Sequence, residues 1–318
     1  MTGLSRVYPP DRVVLREVGL RDGLQMVQRH PSTAAKAEWL RRESDAGVRH
    51  FEVGSFLPAN AMPQFADVRE IIDICQNLNV HSAALALNDR GAADAVQTPV
   101  GEIVTVVSAT EEHSQANARR SRKEAIALVG RTVELASGSE TSPLVQVGIS
   151  MAFGCSIAGE VDPNEVVRIA AECADAGADV IGLADTVGFA GPDQVKDLVE
   201  RVQNELGDVV LSIHLHDTRG MGVANASAAL DAGIRVIDGS LAGLGGCPFA
   251  PGATGNVVFE DLIYLCERKG FATGIDLERL MSAREVAASE MPDEHLFGAL
   301  PRAGAPRQIN WHAQQTTG

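Results

Sequence analysis

What most constrains this chain is an alternation that repeats along almost its whole length. Eight short β-branched or apolar runs (13–17, 50–53, 82–87, 103–107, 144–150, 179–183, 209–214 and 235–237) are separated by stretches with helical spacing, among them those from Lys36 onward and over 123–136, 165–176 and 194–205. Ser121 and Pro163 stand where helix start signals belong. Three of the helical stretches end in the same three residues before the next strand: Asp45-Ala46-Gly47, Asp175-Ala176-Gly177 and Asp231-Ala232-Gly233. A glycine there can take the left-handed position that ends a helix. The repeating unit is therefore strand, helix, tight turn.

Eight such units in roughly 230 residues suit one closed ring, a (β/α)8 TIM barrel of the α/β class. A doubly wound open sheet is the runner-up. Against it, no strand leads into a G-x-G-x-x-G turn, and the chemically interesting residues come from strand ends scattered along the chain, which a closed ring can bring together. The apolar segments 257–269 and 277–288 read as additional C-terminal helices packed on the barrel, so residues 1–300 are expected to form one catalytic domain. Residues 301–318, rich in Pro, Gly, Gln and Thr, are expected to be a flexible tail.

Charge and composition exclude several functions. With 27 Lys and Arg against 42 Asp and Glu, the 318-residue chain carries a net charge of −15, which argues against nucleic acid as a partner because duplex binding draws on phosphate neutralisation. No apolar run is long enough to span a membrane and the first residues lack the apolar core of a secretory leader, so a cytoplasmic protein with no membrane partner is expected. Five cysteines, odd in number and without a C-x-x-C pair, point to reduced thiols rather than a disulfide framework or a zinc ribbon.

The sharpest chemical feature is His214-Leu-His216-Asp217 at the end of the seventh strand. Side chains two apart on a strand share a face, so the two imidazoles project together, as a metal site or as a pair of hydrogen-bonded core histidines. Just past the first strand lies Glu17-Val-Gly-Leu-Arg21-Asp22-Gly-Leu-Gln25, readable as an exposed turn or as a contribution to the barrel mouth. Only strand eight separates strands one and seven in a ring, which lets Asp22 reach a cation held by the histidines. Mg²⁺, Mn²⁺, Fe²⁺ and Zn²⁺ all suit such a set, and oxygen-rich completion favours Mg²⁺ or Mn²⁺. After strand eight, residues 243–256 form a glycine-rich loop carrying Cys247 and ending at Asn256, which either caps the next helix or gives its amide oxygen to the cation. Glu52 and Asp185 also fall at strand ends, as a capping or ion-pairing group or as part of the site. The basic run 119–123 is a helix start or an anion site.

Taken together, E-V-G-L-R-D-G-L-Q, A-D-T-V-G, H-L-H-D-T-R-G and G-L-G-G-C-P-F-A-P-G-A-T-G-N resemble the 3-hydroxy-3-methylglutaryl-CoA lyase family of metal-dependent TIM-barrel lyases, in unbroken order from about Val13 to Gly274. The resemblance implies retro-Claisen cleavage of a 3-hydroxyacyl-CoA thioester, with hydroxymethylglutaryl-CoA giving acetyl-CoA and acetoacetate. It implies a divalent metal held by Asp22, His214, His216 and Asn256, no organic cofactor, and a homodimer. It further implies that Arg21 binds the thioester carbonyl, that Cys247 donates a proton to the enolate, that Asp185 or His214 accepts the hydroxyl proton, and that Glu52 positions Arg21 or the substrate. Gln25 and Ser55 fall in the substrate-binding set. Three departures from the family pattern, Gly148 in place of a tyrosine, Gly154-Cys155-Ser156-Ile157, and the segment 55–64, alter the acyl pocket and keep a citramalyl-CoA lyase, yielding pyruvate, in view. A Claisen-type synthase or aldolase, a two-histidine iron oxygenase and a non-catalytic barrel each fit part of the same pattern.

Overall fold

The computed structural model describes residues 3–245, 255–304 and 306. Eight parallel strands close into a barrel in sequence order: β1 (Val14–Glu17), β2 (His50–Ser55), β3 (His81–Leu85), β4 (Glu102–Ser108), β5 (Leu144–Ser150), β6 (Val180–Asp185), β7 (Val210–Leu215) and β8 (Val236–Gly239). The ring shuts where β1 pairs with β8, in the register Arg16 to Asp238. An open sheet is thereby excluded.

Helices connect the strands: α1 (Gly3–Val7) precedes β1, and α2 (Thr33–Asp45), α3 (Val68–Asn77), α4 (Asp89–Ala95), α5 (Glu111–Ala118), α6 (Arg122–Ser137), α7 (Pro163–Asp175), α8 (Pro192–Leu206) and α9 (Gly222–Asp231) follow in turn. Local chemistry fixes their ends. Ser32, Asn88, Thr110 and Asp162 each accept a first-turn backbone N–H, and Ser121 forms a full capping box with Glu124. At the other end Gly47, Gly177 and Gly233 take φ of 107°, 96° and 104°, the left-handed stops that the repeated Asp-Ala-Gly foretells. The C-terminal helices are α10 (Phe259–Arg268), α11 (Leu277–Glu290), which packs on α2, and the short α12 (Ala299–Ala303), which runs across the expected boundary at residue 300.

Strand alternation sorts the side chains. Ile103, Val107, Val147, Ile149, Ile181, Leu183, Ile213 and Leu215 point outward into the main core beneath the helices. Arg16, Gln146, Ser212, His214 and Asp238 point into the barrel, where they line a cavity that opens among the strand-end residues. Tyr8, packed with Val14, Val180 and Val236, closes the opposite end. No helix among the described residues is long and apolar enough to cross a membrane.

Candidate active site

Arg21 and Asp22 do not sit in a simple exposed turn. Residues Gly19–Gly23 form one π-type turn in which the N–H groups of Arg21, Asp22 and Gly23 all converge on the Val18 carbonyl, and this rolls both side chains inward over the mouth. Nη1 of Arg21 donates to Asp22 Oδ1 at 2.5 Å, and its Nε lies 2.7 Å from Glu52 Oε1 at the buried end of β2. These two carboxylates outweigh the cost of burying the guanidinium and hold it firmly protonated. Gln25 stands at the exposed rim with its Oε1 accepting from Arg21 Nη1 at 3.3 Å, and Ser55 lies buried in the cavity wall with Oγ donating to the Leu85 carbonyl.

Across the mouth, His214 ends β7 and His216 follows just past it, their rings 5.2 Å apart. One ligand-type atom from each of Asp22, His214 and His216 falls within a 4.8 Å cluster. Burial pushes the Asp22 carboxyl toward neutrality, but Arg21 and both histidines overcome it and keep the group ionised well below the usual carboxylate range. Asn256 is not a helix cap: α10 begins at Phe259, because residues 256 and 258 first bridge to His216 and Ser240 in short strand-like contacts. Its amide instead donates to Asp22 Oδ2 at 2.7 Å and to the Leu244 carbonyl at 3.0 Å. That leaves Asn256 Oδ1 and His216 Nδ1 buried without partners. An ionised carboxylate, two imidazoles and an orphaned buried amide oxygen fit the shell of a small divalent cation. Gly245, with φ of 105°, passes so close that a side chain there would strike Asn256 Nδ2 and lie 3.0 Å from the Asp22 carbonyl, so the site requires glycine at this position.

One expected residue stands apart from this cluster. Asp185 accepts backbone N–H bonds from Phe189 and Ala190, one on each oxygen, and does not line the cavity; burial raises its pKa. Its carboxylate caps a turn rather than facing the mouth. Cys247 lies outside the described residues. The basic run is a helix start, with Arg122 paired to Glu111 and Glu165 at the opening of α6.

Sequence reasoning passed over the residues beneath the mouth. His214 Nδ1 bonds to Asp238 Oδ2 at 3.1 Å, and the same carboxylate accepts from Arg16 Nε on Oδ1 and from Arg16 Nη2 on Oδ2. Arg16 Nη1 continues to Glu102 and Gln146, and Glu102 accepts from Tyr8 at 2.5 Å. The available signal was a charged residue on the inward face of each of two strands that a closed ring must pair.

Fold and site together define a (β/α)8-barrel enzyme with its polar cluster at the end where such barrels carry their chemistry. The HMGL-like family model matches residues 12–287, and the chain belongs to that family as a carbon–carbon lyase of the hydroxymethylglutaryl-CoA lyase type. It is 38% identical to the hydroxymethylglutaryl-CoA lyase of Pseudomonas mevalonii over 82% of this chain and 87% of that protein. It is 37% identical to the (R)-citramalyl-CoA lyase of Chloroflexus aurantiacus over 86% of this chain and 90% of that one. The structure of an HMG-CoA lyase from Acinetobacter baumannii in complex with coenzyme A and 3-methylmalate matches with a TM-score of 0.85 at 34% identity, covering 95% of this chain and 98% of that chain.

Proposed function

We propose that the protein is a divalent-metal-dependent lyase that cleaves 3-hydroxy-3-methylglutaryl-CoA to acetyl-CoA and acetoacetate, with residues 1–300 acting as one catalytic domain. The observation that carries this reading is the meeting of Asp22, His214 and His216 beside the unpartnered Oδ1 of Asn256, under the clamped guanidinium of Arg21. A Mg²⁺ or Mn²⁺ ion held by these four residues would lower the pKa of the substrate's 3-hydroxyl and orient the bond to be cleaved.

The protein's own groups account for the rest. Arg21 faces the thioester carbonyl, and its charge matters most when that oxygen becomes an enolate, so it lowers the barrier more than it tightens binding. Glu52 keeps the guanidinium at that point. Of the two acceptors open for the hydroxyl proton, Asp185 is turned away with both oxygens on backbone N–H groups, and His214 holds Asp238 through Nδ1 and offers Nε2 to the cation, so the proton goes to solvent and neither side chain is assigned its acceptance. As that proton leaves, C3–O becomes a carbonyl, the C2–C3 pair passes to C2, and a proton returned to C2 completes acetyl-CoA without net oxidation or reduction. The motif around Cys247 supports the thiol as the donor in that last step.

The test is an assay of purified protein with Mg²⁺ or Mn²⁺ against hydroxymethylglutaryl-CoA and each citramalyl-CoA enantiomer. Acetoacetate is expected, with Asp22→Ala lowering both turnover and calorimetric metal affinity by more than about 100-fold, since outer partners of metal ligands alone carry 10–100-fold. Pyruvate from citramalyl-CoA alone would move the assignment to the second relative's activity. No cleavage of any thioester would sink the lyase reading.

A further inference from the structure

Three inward-facing residues lie in one layer of the barrel wall. Backbone pairing sets His214 of β7 beside Asp238 of β8, and Asp238 beside Arg16 of β1, so three neighbouring strands present them side by side. Arg16 grips the Asp238 carboxylate twice, through Nε at 2.9 Å and Nη2 at 3.0 Å. Its Nη1 is held in turn by Gln146 Oε1 at 2.7 Å and Glu102 Oε1 at 2.9 Å, which leaves the planar guanidinium no freedom to turn. The buried Asp238 is thereby fixed from behind.

The two histidines at the mouth are held unequally. A carboxylate oxygen that accepts from Arg16 can only accept from His214 as well, so Nδ1 at 3.1 Å carries the ring hydrogen and Nε2 keeps its lone pair. That Nε2 faces Asp22 Oδ2 at 3.9 Å. His216 also turns Nε2 toward Asp22, at 3.6 Å, but its Nδ1 is buried with no hydrogen-bond partner among the described residues. Nothing on that side of the second ring fixes its angle or its tautomer.

We propose that Asp238, clamped by Arg16, is a positioning residue that pins His214 with Nε2 toward the cation, a brace that His216 lacks. The inference rests on the divalent-metal reading above and adds a residue that acts through His214. An imidazole already locked in its ligand tautomer gives up no rotation and no proton rearrangement on binding, and partners of this kind carry about 10–100-fold in metal affinity. A buried carboxylate also attracts a cation by charge alone, but that attraction does not depend on His214. The two roles therefore separate in a double-mutant cycle.

The experiment titrates Mn²⁺ into the whole protein without thioester, by calorimetry or, where binding is weak, by the electron-spin-resonance signal of the free ion. Asp238→Ala is expected to weaken Mn²⁺ binding about 10–100-fold in the wild type and again in His216→Ala, but less than about twofold in His214→Ala, where no ring is left to position. The same loss in all three backgrounds, or a loss below about twofold in the wild type, overturns the positioning role while leaving the metal reading intact. If Asp238→Ala strands Arg16 and fails to fold, as its melting curve would show, the cycle is run with Arg16→Met and Asp238→Ala together. That pair removes both charges and leaves Glu102 its bonds to Tyr8 and His81, and the same outcomes decide. No Mn²⁺ binding by the wild type overturns the metal reading and the positioning role with it.

Discussion

Asp22 Oδ1 lies 2.5 Å from Nη1 of Arg21 and Glu52 Oε1 lies 2.7 Å from its Nε, so two carboxylates on different elements fix one planar cation. A planar fork can satisfy both while presenting its remaining N–H bonds to a substrate, and an ammonium cannot. Arg21→Lys is therefore expected to keep its charge and its fold but lose about 10²–10³ in kcat with a much smaller change in KM, as steady-state kinetics on hydroxymethylglutaryl-CoA would show. Glu52 acts at one remove through the same guanidinium. The placement of Arg21, Asp22, His214 and His216 was legible because each falls at or just past a strand end, and a closed ring gathers strand ends at one mouth. Asp185 was not, since its partners are the N–H groups of Phe189 and Ala190, and backbone donors leave no mark in a sequence.

Two turns at the barrel mouth hang from one carboxylate. Glu17, the last residue of β1, accepts through Oε1 from Gly19 N at 2.7 Å, where the turn carrying Arg21 and Asp22 begins, and from Leu241 N at 2.9 Å, where the chain leaves β8 toward Gly245. Burial raises its pKa to about 8, opposed by those backbone bonds and aided by the negative charge of Glu260, which itself pairs with Arg284; the fully buried Glu43 is raised by burial and by the charges of Glu17 and Glu260. A carboxyl whose folded pKa exceeds its unfolded one favours the fold at low pH. The contribution is complete below the unfolded value and is lost as pH rises toward 8, at about 1.4 kcal/mol per pH unit for one group. Melting temperature should thus decline from about pH 5 to pH 8, and Glu17→Gln, which still offers an acceptor oxygen but has no proton to lose, should flatten the decline. Equal slopes in both proteins would contradict this. At this scale the strands were readable to within a residue or two, because a buried parallel strand is a short apolar run. The π-type turn at Gly19–Gly23 was not, because its geometry follows from inward packing and no start signal announces it. Of the two readings of Asn256, the helix cap fails for a related reason: only the closed ring creates the bridges that delay α10 to Phe259.

Through the whole barrel runs a line of buried charge, from Tyr8 at the closed end through Glu102, Arg16 and Asp238 to His214 at the mouth. Arg16 is 1% exposed and stands between two carboxylates in that line. Removing it strands both, and Arg16→Met is expected to cost about 3–5 kcal/mol in urea unfolding, far more than loss of a surface ion pair. The repeat along the chain announced the ring, but not this axis, whose members come from β1, β4, β7, β8 and the segment before β1 and meet only after closure. Asp22 and Asn256 are separated by 234 positions and touch only because β1 pairs with β8. A growing chain on the ribosome makes Arg21 and Asp22 early and then waits through most of its synthesis for the histidines and the asparagine. Until the last strand has emerged and locked against the first, a cation meets scattered donors and no pocket. Metal capture at the proposed site would thus have to follow ring closure, and a cation held there would stabilise only completed chains.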